Sequence, residues 1–279
     1  MTDASFFYPG TNSAGVVLVH GLTGTPTEMR YVGRGLNERG YTVYAPVLAG
    51  HCGTEAELLR TGWRDWMEST EQACDWLAGK VDRLYVAGLS MGALLSLQMA
   101  ARRPQQVRGI ALYSTTLWYD GWSLPVGASL LPLILRLPFG KRYRYVEAFP
   151  YGIKNERIRK FIIAKMEAGD SVAAGLRGTP GQSLAELLQL IGGTKRRLPN
   201  VEAPTLIVHA ANDDVTSVRN ADYVAKRLRS PVRRVLLEDS YHMITIDGER
   251  DRVAALTAEF FDSIQEQPAS VPALRAAAS

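Results

Sequence analysis

The pentapeptide Gly88-Leu89-Ser90-Met91-Gly92 sets a hydroxyl between two glycines, after the apolar run Leu84-Tyr85-Val86-Ala87 and before a helical pattern beginning at Ala93. In that context the chain turns sharply from strand into helix and presents the central side chain at the carboxyl edge of the sheet. The small neighbours have a physical purpose. They leave room for the turn and let the helix pack closely on the strand. Ser90 is therefore the candidate nucleophile, for attack on a carbonyl carbon. A serine hydroxyl is a weak nucleophile near neutral pH and needs a base within hydrogen-bond reach.

Four histidines can be weighed as that base. His20 directly follows the first strand pattern, too close to the loop expected to hold oxyanion donors. His51 lies in Gly50-His51-Cys52-Gly53, a loop after the second strand. His209 ends an apolar strand and reads as a packed wall residue. His242, in Ser240-Tyr241-His242-Met243, follows the last strand, and loops after parallel strands emerge at one common edge. His242 is the candidate base.

A carboxylate must fix that histidine's tautomer and stabilise the imidazolium. Asp213 and Asp214 both follow the strand ending near His209, which gives the chain order Ser, Asp, His. Asp213 is preferred, because Asp214 begins the run toward the next helix and could serve its N-terminus. Asp239 lies three residues from His242 and is expected to turn the loop. Acyl transfer also needs donors aimed at a developing oxyanion. The backbone N–H of Met91 is one candidate, and that of Leu22, in His20-Gly21-Leu22-Thr23-Gly24, is the other.

These residues must be carried by a sheet. Val16-Val17-Leu18-Val19, residues 41–45, 84–87, 107–113, 205–209 and 232–237 read as buried strands, alternating with helical patterns at 63–78, 93–102, 219–228 and 247–264. Thr25-Pro26-Thr27-Glu28 reads as a capping box opening a helix that runs to Gly40. The alternation predicts a doubly wound, mostly parallel sheet flanked by helices. It breaks at 118–199, where Pro and Gly interrupt short apolar segments before helical patterns at 157–167 and 183–191. That stretch reads as an inserted, mainly helical cap. The core is then 1–117 with 200–266, and the Ala/Pro/Ser-rich 267–279 reads as a disordered tail. Trp118, Trp122, Leu130, Leu131, Leu133, Ile134, Leu137 and Phe139 could line an acyl tunnel or face lipid aggregates. Most of them are expected to pack the cap onto the sheet.

Composition removes other classes. Lys and Arg exceed Asp and Glu by 32 to 28, but they are spread along the chain rather than gathered as a nucleic-acid binder gathers them. The densest basic cluster, Lys141, Arg142 and Arg144 with Tyr143 and Tyr145, reads as a solvated face. Cys52 and Cys74 give neither a disulfide framework nor metal-ligand spacing. The first residues lack the pattern of a signal peptide, and no apolar run approaches the roughly 20 residues of a membrane span. The expectation is a cytoplasmic enzyme without stable membrane insertion, nucleic acid, metal or cofactor.

The His20–Gly24 loop, Gly50-His51, the Ser90 pentapeptide, Asn212-Asp213 and the run from Ser240 to Asp247 together resemble the bacterial carboxylesterase and monoacylglycerol lipase branch of the α/β-hydrolases. The resemblance spans about residues 6–115 and 180–264. It implies the α/β-hydrolase fold, with Ser90, Asp213 and His242 as a catalytic triad and Leu22 and Met91 as the oxyanion hole. It also implies cofactor-free hydrolysis of carboxylic esters, and the leading reading of the substrate is a small ester of short-to-medium acyl chain or a monoacylglycerol. Two features depart from the branch. Ala93 stands where a second glycine is common, and the cap is longer than in the compact thermophilic esterases, so their acyl preference does not transfer. The same triad could serve a thioesterase, an amidase or a carbon–carbon hydrolase, and a non-catalytic ligand-binding protein could retain it.

Overall fold

The computed structural model describes residues 4–265 apart from 126, 147 and 177, so the expected tail at 267–279 lies outside the described residues. The first half carries β1 (Phe6–Tyr8), β2 (Ala14–Val19), α1 (Arg30–Glu38), β3 (Thr42–Ala45), α2 (Glu55–Leu59), α3 (Trp63–Ala78), β4 (Arg83–Leu89), α4 (Met91–Arg102) and β5 (Val107–Tyr113). Then come α5 (Leu131–Ile134), α6 (Pro138–Arg142), β6 (Arg144–Tyr145), α7 (Glu156–Glu167), α8 (Ser171–Ala174), β7 (Thr179–Pro180) and α9 (Gly181–Arg197). The described residues end with β8 (Thr205–Ala210), α10 (Arg219–Arg227), β9 (Val232–Leu237) and α11 (Arg250–Gln265).

Among the described residues seven strands form one sheet in the order β1-β3-β2-β4-β5-β8-β9. Every pairing is parallel except β1 on β3. The mostly parallel sheet expected from the strand–helix rhythm is therefore present, with one antiparallel edge strand added. β2 is buried at all six positions, as a strand covered on both faces must be. Alternate residues face opposite layers. Val17, Val19, Val86, Ile110 and Ile207 join α3, α4 and α9 in one apolar cluster. Val16, Leu18, Tyr85, Ala87 and Val208 join α1 and α11 in the other. Each Val, Leu or Ile among them contributes about 1.5–3 kcal/mol on burial.

The strand order also locates the site. From β2 the chain moves outward to β3, then crosses back to β4 on the other side of β2. The switch point lies between β2 and β4, whose carboxyl ends sit side by side in the register Val19↔Gly88. Loops at such a point border the ligand crevice. The loop after β2 begins at His20, and the turn after β4 contains Ser90.

Between β5 and β8 lie short helices and the antiparallel ribbon β6–β7. α9 does more than bridge, since Leu184, Leu187, Leu190 and Ile191 enter the same cluster as the sheet. The apolar residues before it depart from expectation. Trp118 and Leu131 do pack against the core, yet Trp122, Leu130, Leu133, Leu137 and Phe139 are exposed, Phe139 by 65%. The cause is local. α5 and α6 are four and five residues long, each starting with proline at one of its first two positions, so neither builds a continuous face to lay on the sheet. Lys141, Arg142 and Arg144 are exposed as expected, and Arg144 also pairs with Glu55 at 3.0 Å. Among the described residues no helix is long and apolar enough to cross a membrane.

Candidate active site

Ser90 is held at φ +55, ψ −110, a region that residues other than glycine rarely occupy. The flanking glycines are what permit it. A Cβ on Gly92 would lie 2.1 Å from the carbonyl oxygen of Val19, and one on Gly88 would lie 2.2 Å from the Gly92 backbone. Ala93, the departure at the start of the helix, is accommodated fully buried. The Ser90 N–H donates to the carbonyl of Tyr113 at 2.8 Å, which ties the elbow to the end of β5.

The three side chains singled out from the sequence converge. Ser90 Oγ lies 3.1 Å from His242 Nε2. His242 Nδ1 lies 2.9 and 3.1 Å from the two carboxylate oxygens of Asp213. Asp213 is itself fixed: Oδ1 accepts the N–H groups of Val215 and Thr216 at 2.9 and 2.8 Å, and Oδ2 accepts the Thr216 hydroxyl at 3.2 Å. Burial pushes the Asp213 carboxyl up. The charge and hydrogen bond of His242, the charge of His209 and the Thr216 amide outweigh that and leave it below the usual carboxylate range. An ionised acid on Nδ1 makes that nitrogen the donor and leaves the Nε2 lone pair facing Ser90.

Asp214 has another role than the helix-terminal one weighed from the sequence. Its Oδ1 accepts the backbone N–H of His242 at 3.2 Å, and its Oδ2 accepts that of Gly152 at 3.0 Å. Burial, reinforced by the charge of Asp213, raises its carboxyl above the ordinary value, with the charge of His242 in opposition. Asp247 works in parallel, accepting N–H groups of Tyr241, Lys154 and Asn155 at 2.9, 2.7 and 2.9 Å. Two carboxylates thus bind the His242 loop to residues 152–155. Asp239 stays at the loop surface and pairs with Lys154.

The loop after β2 lies over the elbow, where a Cβ on Gly21 would be 3.7 Å from Ser90 Cβ. His20 shapes this loop, which the sequence did not reveal. Its Nδ1 is 2.9 Å from the carbonyl of Gly21, and its Nε2 accepts the Leu48 N–H at 3.3 Å. The Gly21 carbonyl also accepts the Gly24 N–H at 3.2 Å. In a trans peptide the C=O and the following N–H point in opposite directions. Pinning the Gly21 carbonyl therefore turns the Leu22 N–H away from His20. The Met91 N–H opens α4, where first-turn amides lack intrahelical acceptors.

The other three histidines are buried. His20 is brought down to about 3 by burial and by neighbouring His51, and His51 to about 4 by burial. Burial also lowers His209, whose Nε2 donates to the Thr216 carbonyl at 2.9 Å and so backs the turn that carries Asp213. The signal missed most completely is Thr116, whose hydroxyl lies 2.8 Å from Ser90 Oγ. The run Ser114-Thr115-Thr116 after an apolar strand was its only trace in the sequence.

A mostly parallel sheet with a serine elbow after β4, and with Asp and His loops after β8 and β9, defines the α/β-hydrolase class. The sequence profile of the serine aminopeptidase S33 family matches residues 10–249, and the chain belongs to that family. It is 30% identical over 265 residues to a thermostable monoacylglycerol lipase of Bacillus sp. (strain H-257), covering 94% of this chain and 95% of the relative. It is 26% identical over 273 residues to a carboxylesterase of Bacillus subtilis (strain 168), covering 95% and 98% of the two chains. Among solved structures, one described with the metagenome-derived lipolytic enzymes LipS and LipT superposes with a TM-score of 0.78 at 25% identity, covering 94% of this chain and 97% of the other. These matches agree with the branch that the motifs resemble.

Proposed function

We propose that this chain hydrolyses carboxylic esters, of short-to-medium acyl chain or monoacylglycerols, through an acyl-enzyme on Ser90. The observation that carries the reading is the continuous contact from Ser90 Oγ through His242 to Asp213 beneath the Gly21 loop. Relatives named monoacylglycerol lipase and carboxylesterase over nearly their whole length support the ester class.

In the proposed reaction Ser90 Oγ attacks the ester carbonyl while His242 Nε2 takes its proton. Asp213 keeps the imidazolium oriented and stabilised. The tetrahedral oxyanion receives the N–H groups of Leu22 and Met91, each worth about 3–4 kcal/mol in such sites. His242 then protonates the departing alcohol. Water, with His242 again as base, releases the acid and restores Ser90. None of these steps uses a metal or cofactor. Residues 118–199 act as the cap that shapes the acyl pocket, and its exposed apolar residues suit esters met in lipid aggregates. Two free cysteines, Cys52 and Cys74, fit a reducing, cytoplasmic setting.

Turnover of p-nitrophenyl esters and monoacylglycerols, set beside thioesters and amides, tests the reading. Esters are expected to lead, and Ser90→Ala to abolish both turnover and fluorophosphonate labelling. Faster cleavage of an amide or thioester than of every ester would replace the substrate class. Full activity in Ser90→Ala would remove the nucleophile.

A further inference from the structure

The Ser90 hydroxyl has a partner that the scheme above leaves idle. Thr116 is fully buried, with Oγ1 2.8 Å from Ser90 Oγ. The backbone is bent to put it there. Directly after β5, Ser114 takes φ +45, a region sparsely populated by such residues and kept where surroundings over-determine it. The Ser114 N–H is held by the Val208 carbonyl at 3.0 Å, while the Tyr113 carbonyl holds the Ser90 N–H at 2.8 Å. The ends of β4 and β5 are thus locked together with the two hydroxyls in contact.

Counting protons assigns the direction of that contact. Ser90 has one proton. With Asp213 on Nδ1, a neutral His242 offers Nε2 as acceptor and takes the Ser90 proton into its hydrogen bond. The Ser90–Thr116 contact must then be donated by Thr116. The competing acceptor for the Thr116 proton, the Ser114 carbonyl, is 3.4 Å away, beyond the usual range for a hydroxyl donor.

We propose that Thr116 is a further catalytic residue, which donates a hydrogen bond to Ser90 Oγ and stabilises the charge gathering there as its proton moves to His242. The proposal rests on Ser90 being the nucleophile. In acylation the Oγ–carbon bond forms, the serine proton passes to Nε2, and the Thr116 proton stays on Thr116. In deacylation the Oγ–carbon bond breaks, the pair returns to Oγ under the same donor, and His242 gives the proton back. Both halves of the cycle use the contact, and substrate binding does not. When His242 is protonated, its Nε2–H points at Ser90 Oγ, and the serine proton turns to Thr116 instead. Thr116 therefore accommodates both protonation states of the base.

The test is Thr116→Val beside Thr116→Ser, with kcat, KM and the rate of fluorophosphonate labelling measured for each. Valine keeps the shape and removes the hydroxyl. It should lower kcat about 10- to 100-fold, the range of one lost charge-assisted hydrogen bond, with KM within about twofold. Labelling should slow in the same proportion, because it too forms a single bond at Ser90 Oγ. Serine at 116 should recover most of both rates. Thr116→Ala carries the same expectation where the valine variant does not fold. Wild-type rates in the valine variant overturn the proposal, as does turnover that slows while labelling does not. A serine variant as slow as valine also overturns it, since the methyl group would then be what matters. A wild-type protein that neither turns over nor labels removes the nucleophile assignment itself, and is distinguishable from all of these.

Discussion

Asp213 and Asp214 grip the same histidine from two sides. Asp213 accepts the His242 ring at 2.9 Å, and Asp214 accepts the His242 backbone N–H at 3.2 Å. The neighbouring carboxylates thus divide the work, one fixing the tautomer and the other fixing the loop. Asp213→Asn should lower kcat about 10⁴-fold, because an amide does not enforce the Nδ1–H tautomer. Asp214→Asn keeps one acceptor oxygen, so the loss falls on the loop. About 1–3 kcal/mol of stability should go, with far less effect on the kcat of the folded fraction. Urea unfolding and active-site-normalised kcat separate the two. Equal kcat losses in both variants would contradict this division.

What the sequence disclosed follows from how local its signals are. The elbow, β5 and α3 were legible because their patterns are complete within a few residues, and the structure has Trp63–Ala78 and Val107–Tyr113 at the bounds read. Asp213, His242 and Ser90 could be found together because parallel strands deliver successive loops to one edge. β1 was missed because three residues of an antiparallel edge strand carry no periodicity. Glu28 was read as closing a capping box. Thr25 does cap the turn, accepting the Thr27 N–H at 3.2 Å, and the Glu28 carboxylate also accepts the Gly21 N–H at 3.5 Å, a contact the capping-box pattern does not show. His20, Thr116 and Asp247 act through partners 28, 26 and up to 93 positions away. No spacing rule reaches across such intervals.

His20 provides a second prediction. It is buried, and burial together with His51 keeps it neutral, as its acceptor role toward the Leu48 N–H requires. His20→Ala frees the Gly21 carbonyl from one of its two donors and loosens the aim of the Leu22 N–H. Loss of one oxyanion donor costs about 10²–10³ in kcat, so a partial loss should lie near the lower end. KM should change little. Steady-state kinetics normalised by fluorophosphonate titration decide it, and an unchanged kcat would show the loop to be held without His20.

The buried histidines also set an acid limit. Unfolded, His20 and His51 titrate near the ordinary histidine value of about 6.5, whereas burial holds them at about 3 and about 4 in the folded chain. Between those values the unfolded chain binds protons that the native chain refuses. Stability is therefore fully present above about pH 6.5 and declines as pH falls, by about 1.4 kcal/mol per pH unit for each residue. Asp213, held below its ordinary range, adds loss in the same direction only at lower pH. Urea midpoints measured between neutrality and pH 5 should show the decline, and His51→Gln should reduce its slope. A flat profile over that interval would mean that these histidines accept protons in the folded state.

The outward-facing apolar residues before α7 predict a difference between dispersed and aggregated substrate. Leu133 and Phe139 are 59% and 65% exposed, beside the exposed Lys141 and Arg142. Neither contributes to the core, so Leu133→Ser with Phe139→Ser should leave folding and the Ser90–His242 contact intact. Their exposure leaves them free to be buried when the protein meets a lipid surface, where each fully buried side chain is worth roughly 1.5–3 kcal/mol. Losing even about 1.4 kcal/mol of that would lower activity on aggregated monoacylglycerol on the order of tenfold. Turnover of a soluble short-chain p-nitrophenyl ester should remain within about twofold, because that substrate needs no surface. The ratio of the two activities, measured in one preparation, is the decisive quantity. If the double variant leaves that ratio unchanged, these side chains have no part in reaching the substrate.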